Sequence, residues 1–304
     1  MATVDLWLPL DEHWWSGQFR PRRGTFHRSP PTEPNMKDNI METSSRIGII
    51  GGNGWIGGAL ARAMVGTGFL APARLTLSCR SAPPGWLPEA VWTHDNQALA
   101  DSVDVVILSV RPQDWPRVRI SAAGKLVISV MAGVPLADIA DRLGTARVVR
   151  ALPNAAADVG KSYTPWTAMA ALTDADRALV RRIFDACGTQ DEVPREADID
   201  YLTGHSGTGP AYPALLAAAM MQDAIAHGIS REVARRAVIG VMVGAGRIFE
   251  KTGEDPADIV ASFLNYRGVT AAAIEAMQAS GFQDAVRAGL SAALEKTLGM
   301  KGAA

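Results

Sequence analysis

Cysteine is almost missing from this chain: Cys79 and Cys187 are its two thiols in 304 residues. They lie far apart in sequence, so a disulfide framework is excluded and a reducing, cytoplasmic setting is expected. Charge of one sign is missing too, with 30 Lys and Arg against 31 Asp and Glu. Binding nucleic acid needs a local excess of Lys and Arg to neutralise phosphates, so no nucleic-acid partner is expected. The same balance argues against a polybasic membrane patch. Long apolar runs are absent: the longest, over 211–221, is interrupted by Pro213. A bilayer span needs about 20 such residues, so no membrane partner is expected. The five histidines (His13, His27, His94, His205 and His227) show no ligand spacing with one another or with either cysteine, and no metal is expected. What remains is ordinary globular material, 48% apolar and 20% charged, which excludes wholesale disorder. At about 150 residues per domain the length points to two domains.

Residues 1–45 differ from the rest. They hold Pro9, Pro21, Pro30, Pro31 and Pro34 with Trp7, Trp14 and Trp15, and no apolar periodicity survives beyond a turn or two. Asp5, Asp11 and Glu12 exclude a secretory signal, because acids stand where a basic start and an apolar core should lie. Two readings stand: a disordered extension whose tryptophans dock on the body, or an over-long start whose true first residue is Met36 or Met41. The first strand begins within a few residues of Met41, which favours the second.

Order begins at Arg46. Arg46-Ile47-Gly48-Ile49-Ile50 is a short apolar strand, Gly52-Asn53-Gly54-Trp55-Ile56-Gly57 follows at once, and helical spacing runs over 58–69. A strand, then Gly-x-Gly-x-x-Gly, then a helix is the setting in which this spacing means dinucleotide binding. Gly52 is expected to permit the tight turn, Gly54 to let a diphosphate approach the backbone, and Gly57 to let the helix pack on the strand. The free N–H groups of the helix start would then face the diphosphate. The second strand, over 74–78, ends in Ser78-Cys79-Arg80-Ser81 with no acid to grip a ribose 2′-OH. A guanidinium flanked by hydroxyls suits a 2′-phosphate, so NADPH is expected, with NADH as the alternative; the second reading of Arg80 is a solvated surface side chain. Further strands over 104–110, 126–130 and 147–150, with a helix over 136–143, describe a parallel sheet covered on both faces. Val110-Arg111-Pro112 closes one strand at its carboxyl end, where such sheets bind ligands.

After residue 172 strand patterns fade. Helices are expected over 174–187, 210–227, 230–251, 270–280 and 282–298, with one strand-like piece over 190–193 ahead of 196–202. The two longest are apolar on most of their circumference, and in the second Val238, Ile239, Val241, Met242 and Val243 leave almost no polar face. Such helices must be buried all round. A segment of about 130 residues cannot enclose two of them, so a second subunit is the simplest cover. The fold class expected is α/β: a dinucleotide-binding sheet domain over 46–172, then an all-helical domain over 173–304 serving dimerisation and substrate.

These residues resemble the pyrroline-5-carboxylate reductase family over about 46–300. Ser206-Gly207-Thr208-Gly209-Pro210-Ala211-Tyr212 is similar to the family's Ser-Gly-Ser-Gly-Pro-Ala-Tyr. The run from Asp104 to Gln113 is similar to Asp-Val-Val-Ile-Leu-Ala-Val-Lys-Pro-Gln, and that from Arg150 to Gly160 to Arg-x-Met-Pro-Asn-Thr-Pro-x-x-Val-Gly. The resemblance implies a Rossmann-type domain followed by a helical domain that interlocks with its twin, and reduction of a cyclic imino acid, 1-pyrroline-5-carboxylate, to L-proline. It also implies cofactor contacts at Asn96 and at the nicotinamide-side turn of Ala132 and Gly133. On the substrate side it implies Asn154, Ser206, Gly268 and Thr270. Two places depart from the family. Its Ser-Pro-Gly-Gly-Thr-Thr loop, which holds the substrate carboxylate, stands here as Asn265-Tyr266-Arg267-Gly268-Val269-Thr270. Trp55-Ile56-Gly57 replaces a common Asn-Met-Ala-like stretch.

Thr270 opens a helical pattern, so its hydroxyl and nearby N–H groups form a candidate anion site, with a plain N-cap as the structural reading. His205 is a candidate proton relay or, in the plainer reading, a packing residue. Gly204-His205-Ser206-Gly207 resembles a hydrolase's nucleophilic turn, but Thr208 breaks the Gly-x-Ser-x-Gly pattern and 198–203 is no buried strand. A reductase of a different cyclic imine and a non-catalytic NADP-binding protein also fit these residues.

Overall fold

A computed structural model describes residues 42–81 and 83–300; the readings of residues 1–41 lie outside them. Its centre is an eight-stranded sheet in the order β3-β2-β1-β4-β5-β6-β7-β8. The strands are β1 Ile47–Ile50, β2 Leu75–Ser78, β3 Val91–Thr93, β4 Val105–Leu108, β5 Leu126–Ser129, β6 Val148–Ala151, β7 Ser162–Ala168 and β8 Gly188–Glu192. The first six run parallel; β7 turns antiparallel to β6, and β8 lies parallel to β7. The order reverses at β1, between β2 and β4, and ligands of such sheets bind outside the carboxyl ends of the strands at that point.

The apolar strand runs follow from burial on both faces. In β4, Val105 and Ile107 join the core cluster of Leu60, Met64 and Phe184, while Val106 and Leu108 join that of Leu99, Trp115 and Ile139. Leu60 and Met64 come from α1 (Trp55–Gly66), Leu99 from α2 (Asn96–Ser102), Ile139 from α3 (Leu136–Leu143) and Phe184 from α4 (Asp174–Asp185). Each fully buried aliphatic side chain contributes about 1.5–3 kcal/mol.

The sheet continues past residue 172. The strand-like piece over 190–193 belongs to β8, paired with β7, so the changeover to helices follows Glu192. Then come α5 (Glu196–Leu202), α6 (Ala211–Ala226), α7 (Arg231–Thr252), α8 (Pro256–Tyr266), α9 (Val269–Ala279) and α10 (Phe282–Met300). Arg150, on β6, is 1% exposed and joins the two parts. Its guanidinium donates to Glu196 Oε1 at 2.5 Å and Asp200 Oδ1 at 3.2 Å, both on α5. Glu196 also accepts from the Leu136 N–H at 2.7 Å, and Arg150 Nε has no partner. Among the described residues no helix is long and apolar enough to cross a membrane.

Candidate active site

The loop after β1 carries the first half of the site. Gly51, not Gly52, makes the tight turn, with φ of +87°. Gly52 instead lies against Leu77, whose Cδ2 a Cβ would meet at 2.7 Å. Gly57 has the role its spacing gives it: a Cβ there would stand 2.5 Å from the Gly51 carbonyl, so the helix can approach the strand this closely only without a side chain. Helix α1 starts at Trp55 rather than Gly58, three residues earlier than its apolar spacing suggests, because the apolar pattern begins only once the helix packs on the sheet. Gly54 caps it without a side chain, and its first turn holds no acid. The N–H groups of this start are therefore open to an anion, and Trp55 stands beside them, 71% exposed.

The strand ends flanking this loop carry the residues expected on the adenosine side. The Ser78 hydroxyl donates to Asn96 Oδ1 at 2.7 Å, fixing Asn96 at the start of α2. The Cys79 thiol donates to the Ser81 carbonyl. Arg80 is 80% exposed, with Asp114 Oδ2 3.7 Å away. Arg111 Nε donates to the same carboxylate at 3.0 Å, and Arg117 lies 3.7 Å from its other oxygen. The Arg111 hydrogen bond is the main cause that holds the Asp114 carboxyl below its usual range. Val110 lies against the turn, its Cγ1 3.4 Å from where a Gly51 Cβ would be. Sequence reasoning missed Asp114 and Arg117, because nothing in their spacing relates them to Arg80 across β1.

The turn at Ala132 and Gly133, expected on the nicotinamide side, and the signature loop, Ser206 to Tyr212 with the turn before it, carry the other residues expected at the site. Gly133 adopts φ of +73° beneath α10, where a Cβ would meet Met300 Cβ at 2.7 Å; Ala132 is half-buried beside it. The segment Thr203–Gly207 is a π-helical turn, a wide turn often found at functional sites. Asn154 anchors it: its Nδ2 donates to the Ser206 carbonyl at 3.0 Å, while its Oδ1 accepts from Ala156 N–H. Tyr212 donates its phenol to the Gly204 carbonyl at 2.5 Å. The Ser206 hydroxyl turns back to Leu202. His205 is exposed, its ring 5.9 Å from that of Tyr201. Residues 198–202 are helical, so this turn is no nucleophile elbow.

The loop at 265–270 stands apart. Thr270 is not an N-cap: Gly268 caps α9, and Thr270 is its second residue, exposed, its hydroxyl making no capping hydrogen bond among the described residues. Arg267 ends α8 in the left-handed region at φ of +54°. The Tyr266 ring lies over Gly268, 3.2 Å from a Cβ placed there, and is itself largely exposed. Helices α8 and α9 pack on each other, and α9 on α10; neither packs extensively on the sheet. Within one chain, Gly268 and Thr270 are thus not brought to Asn154 and Ser206.

Residues 196–300 match the family described as pyrroline-5-carboxylate reductase dimerisation. Residues 46–133 match the family described as NADP oxidoreductase, coenzyme F420-dependent. A pyrroline-5-carboxylate reductase of Synechocystis sp. is 31% identical over 261 residues, covering 84% of this chain and 97% of that protein. The chain belongs to the pyrroline-5-carboxylate reductase family. It is thus an NAD(P)H-dependent oxidoreductase acting on a C=N bond. Among solved members, that of Coxiella burnetii is 27% identical with a TM-score of 0.77, covering 85% of this chain and 99% of its own. The Plasmodium falciparum pyrroline carboxylate reductase, solved with NADP bound, shares the fold at 23% identity and a TM-score of 0.75, over 86% of this chain and 100% of its own. The family also accounts for the apolar faces of α6 and α7. Leu215 is 72% and Val243 58% exposed in one chain, the surface a dimerisation domain presents to its twin.

Proposed function

We propose that this protein reduces 1-pyrroline-5-carboxylate to L-proline with NADPH, as a homodimer in a reducing compartment. The observation that carries the reading is the pairing of two features at the carboxyl edge of one sheet. An uncapped, acid-free helix start follows the glycine loop, and the signature turn is tied to the end of β6 through Asn154. The first fits a dinucleotide, since the open N–H groups and the bare Gly54 leave room for a diphosphate. Gly52 through Gly57 would hold the diphosphate, Arg80, Ser81, Asn96, Val110, Arg111 and Pro112 the adenosine side, and Ala132 and Gly133 the nicotinamide side. NADPH, when bound, supplies hydride to the imine carbon.

The protein's share is orientation. Asn154 spends both ends of its amide on Ala156 and Ser206, so it shapes the substrate floor by fixing the signature turn rather than by reaching far into the site. The substrate carboxylate needs fixed donors, and the Gly268–Thr270 helix start offers them from a second copy of the chain, because it stands away from the sheet in its own. Tyr266 and Arg267 border that start. Outward-facing in the dimer, they leave an ordinary five-membered-ring pocket; turned inward, they would favour an imine with a further polar group.

Purified protein should oxidise NADPH with 1-pyrroline-5-carboxylate and less well with uncarboxylated or larger cyclic imines. Thr270→Val should raise KM for that substrate, having removed a ground-state contact, and Arg267→Gly should change little. Turnover of a larger imine with none of 1-pyrroline-5-carboxylate would replace the substrate while keeping the reductase class.

A further inference from the structure

We propose that Arg117, with Arg80 and Arg111, forms the pocket for the 2′-phosphate of NADPH, the three gathered around Asp114 as their common counter-ion. This rests on the NADPH reading above and adds a residue that neither the glycine loop nor the strand end points to. Arg80 comes from the end of β2, whereas Arg111 and Arg117 bracket the short 3₁₀ turn after β4. Both strands pair with β1, so the cluster bridges the two sides of the diphosphate loop, over the position where the adenosine ribose of a sheet-bound dinucleotide lies.

Three properties of the cluster match a phosphate monoester. Three guanidinium groups face one carboxylate, leaving two positive charges in excess, and a phosphate monoester carries about −1.5 to −2. Of the three, Arg111 alone makes a hydrogen bond to Asp114; Arg80 and Arg117 stand 3.7 Å away, with side chains 80% and 82% exposed and their forks of donors free. Exposed ion pairs of this kind contribute little to stability, so folding gives no reason to bring three like charges together. A site for the unphosphorylated ribose would present a free carboxylate to the 2′-OH, and here the carboxylate beside the strand end is already covered by arginine.

Calorimetric titration of the purified dimer tests this without turnover, using NADP⁺, NAD⁺, adenosine 2′,5′-bisphosphate and AMP. The wild-type protein should bind the 2′-phosphorylated member of each pair more tightly. Arg117→Gln should weaken NADP⁺ about tenfold more than NAD⁺, the size of one charge-assisted hydrogen bond, and should flatten the salt dependence of NADP⁺ binding. Arg117→Lys should recover part of the preference by restoring the charge without the fork. Equal weakening of both cofactors, or none, would overturn the assignment of Arg117. An Asp114→Asn variant that loses NAD⁺ selectively would also overturn it, by making that carboxylate a ribose ligand. Failure of the reductase reading would show separately, as absence of 1-pyrroline-5-carboxylate turnover by the wild-type protein with either cofactor.

Discussion

Arg150 stands fully buried on a strand otherwise filled with valine and alanine, and its cost is met by two carboxylates from a helix 46 and 50 residues away in sequence. Removing one partner of such a group leaves an uncompensated charge, which costs about 3–5 kcal/mol. Arg150→Met should therefore lower the urea midpoint strongly, and the triple variant with Glu196→Gln and Asp200→Asn should recover most of the loss. A second ion pair gives a pH signature. Burial raises the Asp176 carboxyl, but hydrogen bonds from Arg147 and Thr173 outweigh it and hold the pKa below 3.8. A carboxyl depressed in the folded state adds stability above its unfolded pKa and loses it as pH falls through the lower folded value. The stability gap between wild type and Arg147→Met should be full at pH 7 and close as the pH drops below about 3.8; a gap unchanged at pH 3 would assign Arg147 a packing role alone.

The glycine loop and the elements around it set the next scale. Gly57 meets backbone, not a yielding side chain: the Gly51 carbonyl lies 2.5 Å from the missing Cβ. Gly57→Ala should push α1 away from β1 and tilt the N–H groups proposed to hold the diphosphate. NADPH binding should fall more than tenfold while the far-UV spectrum is preserved, whereas Gly66→Ala, with open space around it, should leave binding intact. Two further elements explain what the sequence conceals. Strand β7 contains Pro165, which lacks an N–H and argues against a strand. Yet its carbonyl accepts from Leu152, and the antiparallel pairing to β6 holds the strand in place. Helix α8 starts at Asp255-Pro256, an N-cap followed by proline at the first turn; that signal was in the sequence, overshadowed by the apolar stretches beside it. The residues of α6 and α7 were legible because a helix apolar on most sides has few explanations.

At the scale of the whole molecule, one chain leaves two of its long helices, α6 and α7, largely without cover. Helix α6 has no buried residue, and α7 has two, Ala234 and Val238. The protein should sediment as a homodimer or a multiple of it at micromolar concentration. Val241→Glu with Val243→Glu should yield a species that loses assembly and, on the proposal that the Thr270 helix start serves the site of a second copy, reductase activity as well. A stable, active monomer would contradict that shared site.

The sequence by itself determined the dinucleotide loop, the parallel sheet, the helical second half, the family and the demand for a twin. These are properties of short windows: glycine spacing, apolar runs and helical periodicity are written within about 20 residues and need no distant partner. Tertiary structure alone decided which glycine turns, where α1 begins and that the sheet runs on to Glu192. It also decided that Arg150 lies between Glu196 and Asp200, and that Arg80 shares a carboxylate with Arg111 and Arg117. Each of these depends on what a residue meets across the sheet. A strand end is two neighbours away in space from groups that lie 30 or 50 positions away along the chain, and no local pattern records that meeting.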